Sequence, residues 1–233
     1  MKSDNLNNSS IKELFVQKIE NLILSGELSV GDKLPPEREI VETMGISLTV
    51  VNAGIAELSG KGFVEVRPRQ GVFVTDYMHK GTMETLVSVM RYNNGRLNAR
   101  EVRSFMDTRI VLERLAIQEA VKNASAGEIE ELGRFLPVLE KETDARRFSE
   151  LVMDYFHEIH SLSKNVLLPL LFHSFREPSI SLYERYIKVN SRQEVYDYAK
   201  LVYEGIAARD SAAACHASED ILNKAVTGES SII

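Results

Sequence analysis

Within 75 residues the chain carries two short helical signals hinged on one glycine, then two β-rich runs hinged on one hairpin tip. Pro36 sits where a proline opens a helix, and Glu37 and Glu39 suit the positive end of its dipole. That helix reaches about Met44, Gly45 breaks it, and Ser47 caps the next, to about Ser59. Two short helices around a tight glycine turn form a helix-turn-helix. Gly60 and Gly62 then lead into FVEVR and GVFVT, separated by Pro68-Arg69-Gln70-Gly71, a turn with a basic side chain at its tip. Upstream, Ser10 is expected to cap a helix over 11–25 whose stripe is Ile11, Leu14, Phe15, Ile19, Leu22 and Ile23, with Gly26 ending it. The stretch GELSVGDKLPPE reads as a loop, since two glycines and a proline pair prevent continuous helix. The pattern predicts a disordered tail over 1–9 and a winged helix-turn-helix domain over 10–75.

The run GDKLPPEREIVETMGIS, continued by GFVEVRPRQGVFV, closely resembles the DNA-binding domain of the GntR family of bacterial repressors. The resemblance implies that Arg38, in the LPxER motif, contacts the DNA backbone or a base near the groove. It implies that the recognition helix starts at Ser47 and exposes Leu48, Thr49 and Asn52, and that Arg69, Gln70 and Gly71 reach the minor groove. Lys61 and Arg67 are the other basic residues near the wing and join the expected DNA-binding set. The family usually reads SRTPVREAL where this chain has Ser47-Leu48-Thr49-Val50-Val51-Asn52-Ala53-Gly54-Ile55. Two arginines that read guanine are thus replaced by Leu48 and Asn52. Asparagine matches adenine N6/N7 and leucine touches only a thymine methyl, so each exchange removes ~1–3 kcal/mol of guanine discrimination. Either the operator differs from the family's usual one, being richer in A·T, or DNA affinity is weak.

Charge bears on the same question. Residues 1–75 hold ten Asp/Glu against eight Lys/Arg, a net of −2, while the whole chain carries −6. Phosphate neutralisation supplies most non-specific affinity, so contact must come from the few local cations at the wing. One cysteine, Cys215, excludes an internal disulfide framework and fits a reducing cytoplasm. No apolar run of about 18 residues predicts a membrane span, and the polar start MKSDNLNNSS lacks the apolar core of a secretory signal. GxSxG, HExxH, P-loop and GxGxxG patterns are missing, so no enzyme is expected.

After a linker at Asp76–Thr82, only helical signals follow: roughly 83–92, 99–122, 126–142, 145–163, 166–176, 179–189, 192–208 and 210–226. The expected fold is mainly α: the winged domain, then an all-α antiparallel bundle of six to seven helices over 83–227, with a flexible tail at 228–233. The runs VRSFMDTRIVLERLAIQEAV and GIAARDSAAACHA resemble the first long helix and the last helix pair of the ligand domain in the FadR branch. On helix 99–122, at 100° per residue, Val102, Phe105, Met106, Ala116 and Ile117 form a stripe with Arg109 and Glu113 in its middle. A buried arginine must be paired. It is either bonded internally to Glu113 or, as the resemblance implies, holds an anionic effector through its planar fork.

Many members of that branch bind a divalent metal through an Asp and a His on the helix here at 145–163 and two further histidines. The corresponding positions are Val152, Phe156, Ala199 and Ile221, none a ligand, so no metal or other cofactor is expected. Asp154 and His157 point away from the apolar face of Phe148, Leu151, Val152, Tyr155, Phe156, Ile159 and Leu162, and His160 lies at its border. Tyr183, Tyr186, Tyr196, Tyr198 and Tyr203 enrich the second half; Tyr196 and Tyr203 share a face with Ala199, Ile206 and Ala207. The alternatives are ordinary packing or an amphipathic pocket in which Arg109, Glu113, Tyr196 and Tyr203 hold a small organic effector, acyl-CoA or an organic acid. The expected protein is a homodimeric, effector-responsive cytoplasmic regulator of an operator on double-stranded DNA. The competing expectation is an interaction protein that keeps the wing without sequence-specific reading.

Overall fold

The computed structural model describes residues 3–227 and 231–232. They form two compact units that divide between Asn93 and Asn94. In the first unit α1 spans Ser3–Leu24, α2 Glu37–Met44 and α3 Leu48–Gly60; β1 (Val64–Arg67) and β2 (Gly71–Val74) follow, then α4 (Tyr77–Lys80) and α5 (Met83–Arg91). The helix α1 begins well before the expected Ile11, and Ser10 lies inside it rather than capping it. No Gly or Pro interrupts residues 3–24, so nothing local stops the helix. Met1 and Lys2 of the expected tail lie outside the described residues.

Gly45 adopts the left-handed conformation (φ 65°) and donates its amide to the Val41 carbonyl, ending α2. Ser47 caps α3 by accepting from the Val50 amide at 3.3 Å. The two helices turn by 116°, inside the range of helix-turn-helix pairs. Phe15, Ile19 and Ile23 of α1 pack with Ile40, Val51, Ile55, Leu58, Phe63, Val72 and Val74 in one core. Leu14, expected in that stripe, is 64% exposed. The buried face turns toward Phe15 and Val16 because Gly54 of α3 has no side chain: a Cβ there would lie 2.3 Å from the Phe15 ring.

The strands pair antiparallel, Val64 opposite Val74 and Arg67 opposite Gly71. The segment read as a loop contributes a third edge. Gly31 and Leu34 donate to Val74 and Val72 carbonyls, and Asp32 accepts from Val74. Pro35 and Pro36 end that pairing, as edge prolines do.

The expected linker is structured. Asp76 caps α4, and Thr82 with Thr85 forms a capping box on α5. Ser88 donates to the buried Glu20 carboxylate at 3.0 Å, and Thr85 donates to the Lys61 carbonyl. These bonds attach α5 to the winged unit, which moves the division from the expected 82 to Asn93. Gly62 (φ +75°) lies against the same segment, where a Cβ would be 2.3 Å from the Lys80 carbonyl oxygen. Gly62→Ala combines left-handed strain of about 1–2 kcal/mol with a backbone clash. We expect a loss of about 2 kcal/mol in urea unfolding; a change within about 0.5 kcal/mol, typical of an uninvolved surface site, would refute the close approach.

The second unit holds α6 (Ala99–Asn123), α7 (Ala126–Gly133), α8 (Leu136–Lys141), α9 (Ala145–Leu162), α10 (Leu168–Ser174), α11 (Arg176–Val189), α12 (Arg192–Ala207) and α13 (Ser211–Lys224). α6 packs against both α9 and α13, α12 runs along α13, and α11 lies on α9. The helix expected over 126–142 is two, with Pro137 in the first turn of α8. Gly205 lets α13 approach α12 closely: a Cβ would sit 2.7 Å from the Ala214 nitrogen. No single helix among the described residues is long and apolar enough to cross a membrane. Of the expected tail 228–233, residues 228–230 and 233 lie outside the described residues, whereas Ile232 is buried.

Candidate functional site

The outward face of α3 carries Leu48, 46% exposed, with exposed Thr49, Asn52, Ala53 and Ala56 beside the cap Ser47. Burial of Val50, Val51, Gly54, Ile55 and Leu58 fixes this orientation, since those positions recur at helical spacing. Ser47 uses an oxygen lone pair as cap acceptor, which leaves its hydroxyl hydrogen free to donate to a phosphate. The face is neutral: it offers one amide, hydroxyls and methyl groups, and no cation.

Cations around it separate into two groups. Arg38 and Arg69 are exposed and make no ion pair among the described residues; Arg69 sits at the wing tip with φ 62°. Gln70 is exposed beside it. Gly71 takes φ +118°, and a Cβ there would press on the Lys33 side chain at 2.7 Å. Lys61 and Arg67, also in the expected DNA-binding set, belong to the other group. Lys61 has only 18% of its side chain exposed and pairs with Glu20 at 2.9 Å and Glu57 at 3.1 Å. Its proton is held more firmly than usual: burial opposes the charge, but the bonds to Glu20 and Glu57 outweigh it. Arg67 pairs with Glu65 and lies 4.4 Å from the Phe73 ring centre. Sequence proximity to the wing could not show these carboxylate partners, one of which is 41 residues away.

The second candidate is the polar centre of the bundle. Arg109 and Glu113 are both 1% exposed. Arg109 donates through Nε to Glu113 and through Nη2 to the Tyr183 hydroxyl, and Ser218 donates to the other Glu113 oxygen. Phe156, Phe172 and Tyr183 surround the guanidinium at 4.9–5.5 Å. Burial works against its charge, but Glu113 and Tyr183 more than compensate and push its pKa up. Burial likewise raises Tyr183 to about 12. Of the two readings open for Arg109, the internal ion pair is what the structure contains. His160, expected at the border, is fully buried, stacked 3.9 Å from Phe172, with Nδ1 2.8 Å from the Phe156 carbonyl.

Tyr196 and Tyr203 do not join this cluster. Tyr196 lines a groove of about 340 Å³ with Leu139, Phe148 and Arg192, and the Tyr203 hydroxyl faces Gly133. The buried stripe of α12 is Val195, Ala199, Val202 and Ile206, which keeps Ala199 and Ile206 of the expected face and leaves Tyr196 and Tyr203 half-buried at its edge. Tyr183 and Tyr186 of α11 take the place next to Arg109, lining a cavity of about 20 Å³ with Met106, Leu182, Ile221 and Ile232. The only sequence signal for them was the tyrosine enrichment itself. Val152, Phe156, Ala199 and Ile221 are buried and offer no side-chain donor atom, so they do not fit a metal ion. Among the described residues no cluster of His, Cys, Asp and Glu could hold one.

Residues 12–74 match the model of bacterial regulatory proteins of the gntR family, and residues 104–224 match the FCD domain. The chain is 26% identical to the HTH-type transcriptional regulator Mce2R of Mycobacterium tuberculosis over 221 residues, 94% of this chain and 91% of that protein. Over 58 residues, 25% of the chain and 23% of the relative, it is 43% identical to the Uxu operon transcriptional regulator of Escherichia coli. Among solved structures, Lar of Listeria monocytogenes has a TM-score of 0.65 at 16% identity, covering 94% of each chain, a likeness of fold. The two matches together span most of the chain and place it in the GntR family, as a transcription regulator carrying an FCD domain.

Proposed function

We propose that the protein is a homodimeric repressor whose DNA affinity falls when a small organic effector occupies the helical unit. The observation that supports this reading most is the exposed face of α3, whose Leu48, Thr49 and Asn52 are neutral, while Arg38 and Arg69 make no ion pair among the described residues. The two recognition helices of a dimer meet half-sites about one helical turn apart, so the operator has matching two-fold symmetry. Asn52 reads adenine, Leu48 packs on a thymine methyl, and the operator is rich in A·T. The effector, acyl-CoA or an organic acid, acts without a metal. It enters the cavity beside Arg109 and changes the spacing of the two winged units. Binding declines only as far as the effector prefers the state that does not fit DNA.

The test is fluorescence anisotropy against the DNA upstream of the protein's own gene, with scrambled DNA alongside and several salt concentrations. Tight binding that resists competitor is expected, with a slope of log K against log[salt] that falls by about one for Arg38→Ala and again for Arg69→Ala. Lys61→Ala is expected to leave the slope unchanged, because its charge is already spent on Glu20 and Glu57. Equal weak binding to both DNAs would overturn the regulator and favour an interaction protein that has kept the winged unit.

A further inference from the structure

Ile232 lies eight residues beyond the end of α13, yet it is 7% exposed and lines the same cavity as Arg109, Tyr183 and Tyr186. Its amide donates to the Ala225 carbonyl at 3.0 Å, and its carbonyl accepts from the Arg185 guanidinium, which also reaches the Leu97 carbonyl at 3.4 Å. The remaining wall comes from helices: Met106 on α6, Leu182, Tyr183 and Tyr186 on α11, Ile221 and Leu222 on α13, with Ala225 just after it. Of these wall residues only Ala225 and Ile232 lie outside the helices, and Ile232 alone is several residues removed from its helix, held by two hydrogen bonds to its own backbone. With it in place about 20 Å³ remains, room for about one water. No organic molecule fits until something leaves, and Ile232 is the least anchored group.

We propose that Ile232 is an intramolecular occupant of the effector site, and that the effector is a compact molecule with an aliphatic end and a hydrogen-bonding head. The aliphatic end takes the slot between Met106, Leu182, Ile221 and Leu222 that the isoleucine fills. The head meets the Arg109–Tyr183 pair, both members of which line an otherwise almost wholly apolar cavity. Burying a group like the isoleucine side chain stabilises the closed form. The open form is therefore a small fraction of the population, and apparent affinity is reduced by that fraction. The proposal rests on the effector site described above and adds what keeps it shut and what kind of molecule opens it.

The experiment titrates hexanoate, with hexan-1-ol as an uncharged companion, into the full-length protein and follows binding by calorimetry and protein NMR. Ile232→Gly is expected to bind hexanoate about ten- to a hundredfold more tightly than the parent. Ile232→Leu, which refills the slot, is expected to match the parent. Arg185→Leu releases the carbonyl anchor without altering the slot and is expected to tighten binding too. Hexan-1-ol following the same order, more weakly, would assign the slot to the aliphatic end and the difference to the head. Equal hexanoate affinity across all four proteins would overturn Ile232 as the occupant, as would variants that lose stability and gain no affinity. Binding to none would overturn the ligand class. The anisotropy experiment separates these failures from that of the regulator. A protein that reads its operator but ignores Ile232 loses only the plug; one that binds no operator can still show the gain at Ile232→Gly.

Discussion

Glu113→Ala is expected to cost about 3–5 kcal/mol of stability, the largest single-site effect in the helical unit. The carboxylate is 1% exposed and is the only anion bonded to Arg109 among the described residues, the other partner being the neutral Tyr183 hydroxyl. Removing it leaves a guanidinium enclosed by Phe156, Phe172 and Tyr183 with its charge uncompensated. The pair is not there for helix propensity. Arginine precedes glutamate by four residues, the less favourable order along a helix. Nor is its net contribution to stability the reason it exists, since two charges taken from water roughly cancel their attraction. The double variant Arg109→Met with Glu113→Leu should therefore recover most of the loss in urea unfolding, while abolishing polar recognition in the cavity. A loss below about 1 kcal/mol for Glu113→Ala would show that the guanidinium reaches water. The exposed Arg134–Glu131 pair, 68% and 63% open to solvent, is the internal control, worth at most about 1 kcal/mol.

The second large effect is with acid. Burial lowers His160 to about 3, and the nearby positive charge of Arg109 and the adjacent His157 act in the same direction. The Phe156 carbonyl, an acceptor for the protonated ring, opposes them but does not win. The unfolded histidine takes up its proton near pH 6.5, whereas the folded one stays neutral until about 3. Between those values the unfolded state holds the extra proton, so stability rises with pH and is lost on acidification. The slope from this one group approaches about 1.4 kcal/mol per pH unit below 6.5, which gives about 2 kcal/mol between pH 6.5 and 4.5. His160→Phe keeps a ring against Phe172 and removes the proton. Comparing the variant with the parent in urea at pH 7 and pH 4.5 isolates the histidine from the carboxylates common to both. Parallel loss of stability in the two proteins would mean that His160 is protonated inside the fold.

Much of the architecture was legible because its causes are local. Gly45 after Met44, Ser47 before Leu48 and Pro68 to Gly71 between β-rich runs each settle the backbone within four or five residues. The same locality put Arg109 and Glu113 on the buried face of α6, where the structure has them, and left Leu48, Thr49 and Asn52 facing outward. What the sequence left open shares a different cause. Lys61 looked like a wing cation until its partner proved to be Glu20, 41 residues earlier. Tyr196 and Tyr203 shared a face with Ala199, but Tyr183 and Tyr186 of α11 proved to be the tyrosines beside Arg109. The linker looked unstructured until Asp76 capped α4 within it, and the tail at Ile232 looked mobile until Arg185 and Ala225 held it. By itself, then, the sequence determined the order of elements, the helix-turn-helix and the pairing need of Arg109, since periodicity, capping and the cost of a buried charge act along a single helix. Which cations remain free for DNA, which tyrosines meet Arg109 and what closes the cavity were decided only by tertiary structure, because each depends on side chains tens of residues apart and on helix rotations of less than one residue step.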